Sequence, residues 1–221
     1  MQFRPALALI PLSALLLTAC GNQRPLVVVE REGDAALAEG NGHKAATDFA
    51  EYNHRQPGNA RVRHKESLAN LAAGNAGAAV VNARLAFDLE PDSAEYARTL
   101  ADSLFAASEH DALDRFLRNE VQVRGRVSDY LLLGEYQMKM GDPDSAEPTL
   151  RTAARVDRGQ TLGPQLALAN FYRAVGKQSD ELLRLKMALF IDPYNPEVEG
   201  RIRSLGEVPG PMARVVPEER D

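Results

Sequence analysis

Proline and glycine punctuate this chain at one recurring interval. Pro57 and Pro91 are 34 residues apart, and Pro91 and Pro193 are 102 apart, three times 34. The segments ahead of them run from Asn53 to Pro57, Phe87-Asp88-Leu89-Glu90-Pro91 and Phe190-Ile191-Asp192-Pro193. Gly40, Gly74, Gly141 and Gly176 follow one another with gaps of 34, 67 and 35. Proline cannot continue a helical hydrogen-bond ladder, and glycine readily takes the left-handed conformation that closes a helix. Stops at this interval predict helix pairs of equal size, stacked one on the next.

The interval is clearest between Asp129 and Ala153. A helical run carrying Leu133-Gly134 is closed by Gly141, and a second run places Ala146, Leu150 and Ala153 on one face. This pattern resembles the tetratricopeptide repeat (TPR): Leu-Gly and an aromatic in the first helix, a glycine turn, two alanines in the second helix, then Asp-Pro. The resemblance implies an all-α TPR solenoid of about five helix-turn-helix repeats, at 26–59, 60–93, 94–126, 127–160 and 162–195. The fifth unit carries Leu168, Ala169, Tyr172, Gly176, Leu185, Ala188, Asp192 and Pro193.

The other units depart from the pattern in readable ways. The third has Ser108 where a glycine is expected, and it is one residue short. In the second, Arg63, Glu66, Ser67 and Asn70 fall where core residues are expected, so either the helix is rotated to bring Leu68 and Leu71 inward or the unit is degenerate. The first opens on Leu26-Val27-Val28-Val29, a β-branched run that suggests extended chain. The small-residue site early in the second helix holds Ala45, Ala79 and Ala146, but Leu113 and Glu181 in units three and five. Glu181 is expected to lean outward at a looser crossing. Residues 196–206 read as a capping helix with Val198, Ile202 and Leu205 on one face, and 207–221 as an irregular tail.

The N-terminus carries a different signal. Arg4 precedes an apolar run from Pro5 to Leu17, too short for an ordinary spanning helix, and Leu17-Thr18-Ala19-Cys20-Gly21 ends it. This resembles a bacterial lipobox. It implies a signal peptide over 1–19, lipidation at Cys20 and a short tether over 20–25. Acyl chains would hold the protein on a membrane at roughly 0.8 kcal/mol per buried CH₂. Gly21, not Asp, follows the cysteine, which in the enterobacterial sorting rule points to the periplasmic face of the outer membrane.

Catalytic chemistry is not legible. Cys20 is the single cysteine, and His43, His54, His64 and His110 show no zinc-ligand spacing. Gly40-Asn41-Gly42-His43-Lys44-Ala45 matches a dinucleotide fingerprint by letter, but it follows a helical run and not a strand. A net charge of −5 argues against nucleic-acid binding. No cofactor, metal or small-molecule substrate is expected, and the reading is a non-enzyme.

Recognition remains. In TPR folds the first helices of successive units line a concave groove. By register, the resemblance places Arg61, His64, Lys65 and Leu68 there, then Arg98, Thr99, Asp102 and Phe105. Leu131, Leu132 and Glu135 follow in unit four, and Leu166, Ala167, Asn170 and Arg173 in unit five. The leucines suit an amphipathic helix or extended peptide from another envelope protein. The alternative is that they pack against the adjacent unit. The anchor and fold together imply a scaffold or adaptor of the bacterial envelope. It would assist a pilus or secretion complex as a pilotin does, or alternatively serve peptidoglycan or polysaccharide-export enzymes.

Overall fold

The computed structural model describes residues 23–220. These form five helix pairs: Leu26–Ala38 (α1) with Gly42–Arg55 (α2), Ala60–Ala72 (α3) with Ala76–Leu89 (α4), Ala94–Ala106 (α5) with His110–Val123 (α6), Val127–Lys139 (α7) with Pro143–Asp157 (α8), and Leu162–Ala174 (α9) with Gln178–Ile191 (α10). Pro196–Ser204 (α11) caps the stack. Odd-numbered helices touch one another along the solenoid, whereas even-numbered helices have no comparable mutual contact. The odd helices therefore form the inner, concave layer and the even helices the outer one. The result is an all-α solenoid of stacked helix-turn-helix units with a capping helix. The lipobox, including Cys20, lies outside the described residues.

Each turn is built by the same local chemistry. After α1, α3, α5, α7 and α9 a residue takes positive φ, and the next amide reaches back five residues. Asn41, Asn75, Glu109, Asp142 and Lys177 donate to the carbonyls of Ala36, Asn70, Leu104, Gln137 and Tyr172. Glycine supplies the left-handed residue in four of these turns, and Ser108 supplies it in the third unit at φ 59°. Two of the following helices, α2 and α8, start on side-chain caps: Asn41 accepts from the Lys44 amide and Asp142 from that of Ser145, both at 3.1 Å.

Small residues set the packing within each pair. A methyl at Gly134 would stand 2.5 Å from Leu150 Cδ2, so only glycine permits this α7–α8 approach. Ala45, Ala79 and Ala146 are fully buried at the corresponding crossing. Leu113 is equally buried, and its bulk separates α5 from α6 more than the other pairs.

Five local expectations are corrected. Leu26–Val29 is helical, because Val29 is buried against the α1–α2 core and that packing outweighs β-branched preference. Residues 23–25 of the expected tether are not free, since Arg24 pairs with Asp48 at 3.1 Å.

The helix α3 is neither rotated nor degenerate. It keeps its register and buries polar side chains that find partners on three other helices. Asn53 donates to Glu66 at 2.7 Å, Arg63 to Asn82 at 3.0 Å, and Ser67 to the Ala79 carbonyl at 3.0 Å. Ser67 also meets Ser103 at 3.3 Å. Buried polar groups cost little when so satisfied.

Glu181 does not lean outward. It is buried and accepts from Arg201 of the capping helix at 2.7 Å. The tail is not irregular throughout. It forms 3-10 turns at Pro211–Ala213 and Glu218–Arg220, buries Pro217 against Gly159, and hydrogen-bonds through Val215 to the Lys186 carbonyl.

A candidate peptide-binding groove

Along the concave layer, neighbouring helices are stitched together by polar side chains. Between α1 and α3, Glu30 pairs with Arg61 and, at 2.8 Å, with Lys65, which also reaches Asp34 at 2.7 Å. The hydrogen bond from Arg61 holds the Glu30 carboxyl below the usual carboxylate range, although burial opposes this. Between α3 and α5, His64 Nε2 meets Thr99 Oγ1 at 2.8 Å. Thr99 Oγ1 also lies 3.1 Å from the Glu95 carbonyl within its own helix.

Between α5 and α7, Arg98 donates to Glu135 at 2.9 Å and Tyr136 donates to Asp102. Lys139 completes the group at 2.9 Å from Glu135 and 3.9 Å from Asp102. Burial would raise the Glu135 carboxyl, but hydrogen bonds from Lys139 and Arg98 hold it low. Burial, with the bond to Asp102, pushes the Tyr136 hydroxyl well above the usual phenol range.

The next step is different. No hydrogen bond or ion pair joins α7 to α9 among the described residues. Instead a groove of about 480 Å³ opens between them. Its floor is apolar: Leu131, Gly134, Met138, Leu150, Leu166, Ala167, Phe171 and Ala174. Gly163 sits at one side, 3.7 Å in projected methyl contact from Leu131. Arg98, Glu135, Lys139 and Asn170 form the rim, and Asn170 is held by Arg201 at 2.8 Å.

Of the residues expected by register, the structure brings Arg98, Leu131, Glu135, Leu166, Ala167 and Asn170 together here. Arg61, Lys65 and Asp102 are concave but engaged in the ion pairs above. Arg173 is exposed and does not line the groove. Two placements are corrected. His64 is 6% exposed, sealed under the Tyr96 ring at 4.8 Å, so it cannot present itself to a partner. Leu132 is also 6% exposed and belongs to the core cluster with Leu104, Leu117 and Leu133. Adjacent helical residues point about 100° apart, so Leu131 and Leu132 cannot share the groove.

The residues missed were Gly163, Met138, Lys139, Phe171 and Ala174, and Gly134 and Leu150 read in the sequence only as core. Gly163, Ala167, Asn170 and Ala174 follow helical spacing on α9. That run of small side chains on an inner face was the available signal.

Solved structures with similar folds include a thermophilic TPR protein of Thermus thermophilus, at TM-score 0.56 and 20% identity, covering 82% of this chain and 98% of that one. MamA matches at TM-score 0.54 and 18% identity, with coverage of 81% and 94%. The chain has the TPR fold. PilF of Pseudomonas aeruginosa superposes at TM-score 0.54 and 14% identity, covering 82% of this chain and 84% of that one. No protein-family model matches the sequence, and no curated protein matches it. Among the described residues, no group of three His, Cys, Asp or Glu is placed to hold a metal, and no helix is long and apolar enough to cross a membrane.

Proposed function

We propose that this TPR protein is a non-catalytic scaffold that holds an apolar segment of another protein in the groove between α7 and α9. The observation that carries the reading is the change in the concave layer. The steps from α1 to α7 are closed by polar stitching, and the α7–α9 step is left open with a floor of leucine, methionine and phenylalanine. A cleft of this kind takes two or three apolar side chains spaced along a helix or an extended strand. The rim carries two cations and one carboxylate that already satisfies both, so selectivity rests on the apolar anchors.

Replacing Leu131 and Leu166 together by Asp is expected to abolish capture of the bound protein while helicity by circular dichroism is kept. Undiminished capture by the folded double variant contradicts the assignment.

The setting proposed is the bacterial envelope, with the chain cut before Cys20, lipidated there and held at the periplasmic face of the outer membrane. The lipobox-like Leu17-Thr18-Ala19-Cys20 supports this, together with the apolar run before it. Cys20→Ser is expected to lose palmitate label and leave the membrane fraction, and retention of both contradicts the anchor. Within the envelope, the favoured role is assembly of a pilus or secretion complex. Loss of secretin multimers on deletion of the gene supports it. Altered wall lysis supports the second reading, an adaptor for peptidoglycan or polysaccharide-export enzymes.

A further inference from the structure

The outer layer of the solenoid holds one row of side chains that the stacking of repeats does not explain. On α4, Val81, Leu85 and Leu89 are 59%, 40% and 48% exposed, in an i, i+4, i+8 row. The outward faces of the other even helices carry no such row: their large exposed apolar residues stand singly, Val123 on α6, Val156 on α8 and Leu183 on α10. On α2 the face shows His43, Thr47 and His54, and on α6 Asp111, Arg115 and Arg118. A single exposed leucine is ordinary, but an aligned row on one helix is the form of a helix-pairing seam.

The charges beside the row indicate what pairs with it. Arg84 and Asp88 lie one helical turn apart on the same flank, both exposed, and neither has an ion-pair partner among the described residues. Suppose a second α4 runs antiparallel to the first, with a two-fold axis at the level of Ala86. The row repeats every four residues, about 6 Å along the helix at 1.5 Å per residue. The two-fold axis then brings Leu89 of the second copy midway between Val81 and Leu85 of the first, so the side chains interleave. The same operation sets Arg84 of each copy level with Asp88 of the other, and this axis keeps both residues on one flank. Two reciprocal ion pairs result. A parallel pair instead turns each charged flank toward the opposite, apolar flank and leaves all four charges unpartnered.

We propose that α4 is a self-complementary surface through which two copies of this chain form an isologous, antiparallel dimer. Such an interface uses one patch twice. A single helix seam buries area near the low end for specific association, so the dimer is weak and concentration-dependent. The two concave grooves face away from the seam and remain open in the dimer. The proposal does not depend on what the groove binds.

Sedimentation velocity on the full chain over a concentration series tests it, with circular dichroism as the control for folding. The weight-average mass is expected to climb from 24.1 kDa toward twice that value. Leu85→Glu is expected to stay monomeric throughout. Arg84→Asp alone is expected to weaken dimerisation about tenfold, because it sets like charges opposite each other. Combining Arg84→Asp with Asp88→Arg restores the reciprocal pairs and is expected to return the dissociation constant to near the original. A chain that remains monomeric at the highest concentration overturns the proposal. So does association that Leu85→Glu leaves unchanged, or a double charge reversal no better than the single one.

Discussion

Arg184 and Glu219 meet at 2.6 Å with side chains only 3% and 5% exposed, although 35 residues of chain separate them. The guanidinium also reaches Gln165 at 3.1 Å, and Gln165 in turn donates to Glu219 at 3.0 Å. Glu218 pairs with Arg184 from the solvent side. The last turn of the tail thus satisfies a charge buried between α9 and α10. It is a structural part of the fifth repeat.

The consequence is measurable. Removing one partner of a buried pair typically costs about 3–5 kcal/mol, because the other charge is left without compensation. Glu219→Ala is expected to cost about 3 kcal/mol, the low end, since Glu218 remains beside Arg184. Urea denaturation reads this directly. A loss below about 0.5 kcal/mol, the scale of an exposed pair, would show that the tail is not docked in solution.

A second expectation concerns pH. Burial lowers the His64 imidazole below its ordinary 6.5, while the nearby Glu95 carboxylate, 3.8 Å from Nδ1, opposes this only in part. In the window between the lowered folded value and 6.5, the unfolded chain binds a proton that the folded chain resists. Stability from a neutral, buried His64 is therefore complete above that window and is lost as pH falls through it. Glutamine does not titrate. The stability gap between the wild type and His64→Gln is expected to narrow between about pH 7.5 and about pH 5.5. A gap that stays constant or widens on acidification contradicts the buried neutral imidazole.

The third turn offers a stabilising change. Ser108 sits at φ 59°, where the other four inner turns use glycine. A left-handed non-glycine residue costs about 1–2 kcal/mol, and glycine returns part of that through unfolded-state entropy. Ser108→Gly is expected to stabilise the chain by about 0.5–1 kcal/mol in thermal or urea unfolding. Destabilisation would mean that the serine makes a compensating contact.

What the sequence displays and what it hides follow from how far apart the interacting groups lie. Gly141, Ala146 and Gly134 are legible because their roles are local: a turn, and a close approach to the helix that follows. The polar residues of α3 look like errors in the repeat. Their partners, Asn53, Asn82, Thr99 and Ser103, come from three other helices, and no period links them. The docked tail is hidden for the same reason, since Arg184 and Glu219 belong to no shared repeat position. Glu181 reads as a misfit until Arg201 of the capping helix stands beside it. The groove was half legible. Register brings Leu131 and Leu166 to the concave face, but it does not resolve Leu131 from Leu132, which differ only by one step of rotation.

The central claim is that the open step between α7 and α9 receives another polypeptide. Ala167 lies in the groove wall, whereas Ala50 is exposed on the outer helix α2. A photoreactive amino acid placed at either position, followed by irradiation of intact cells, reports what touches each face. The account predicts a discrete covalent adduct from position 167, lost when Leu131→Asp is added, and none of that mass from position 50. No adduct at 167, or one that Leu131→Asp leaves undiminished, would contradict it.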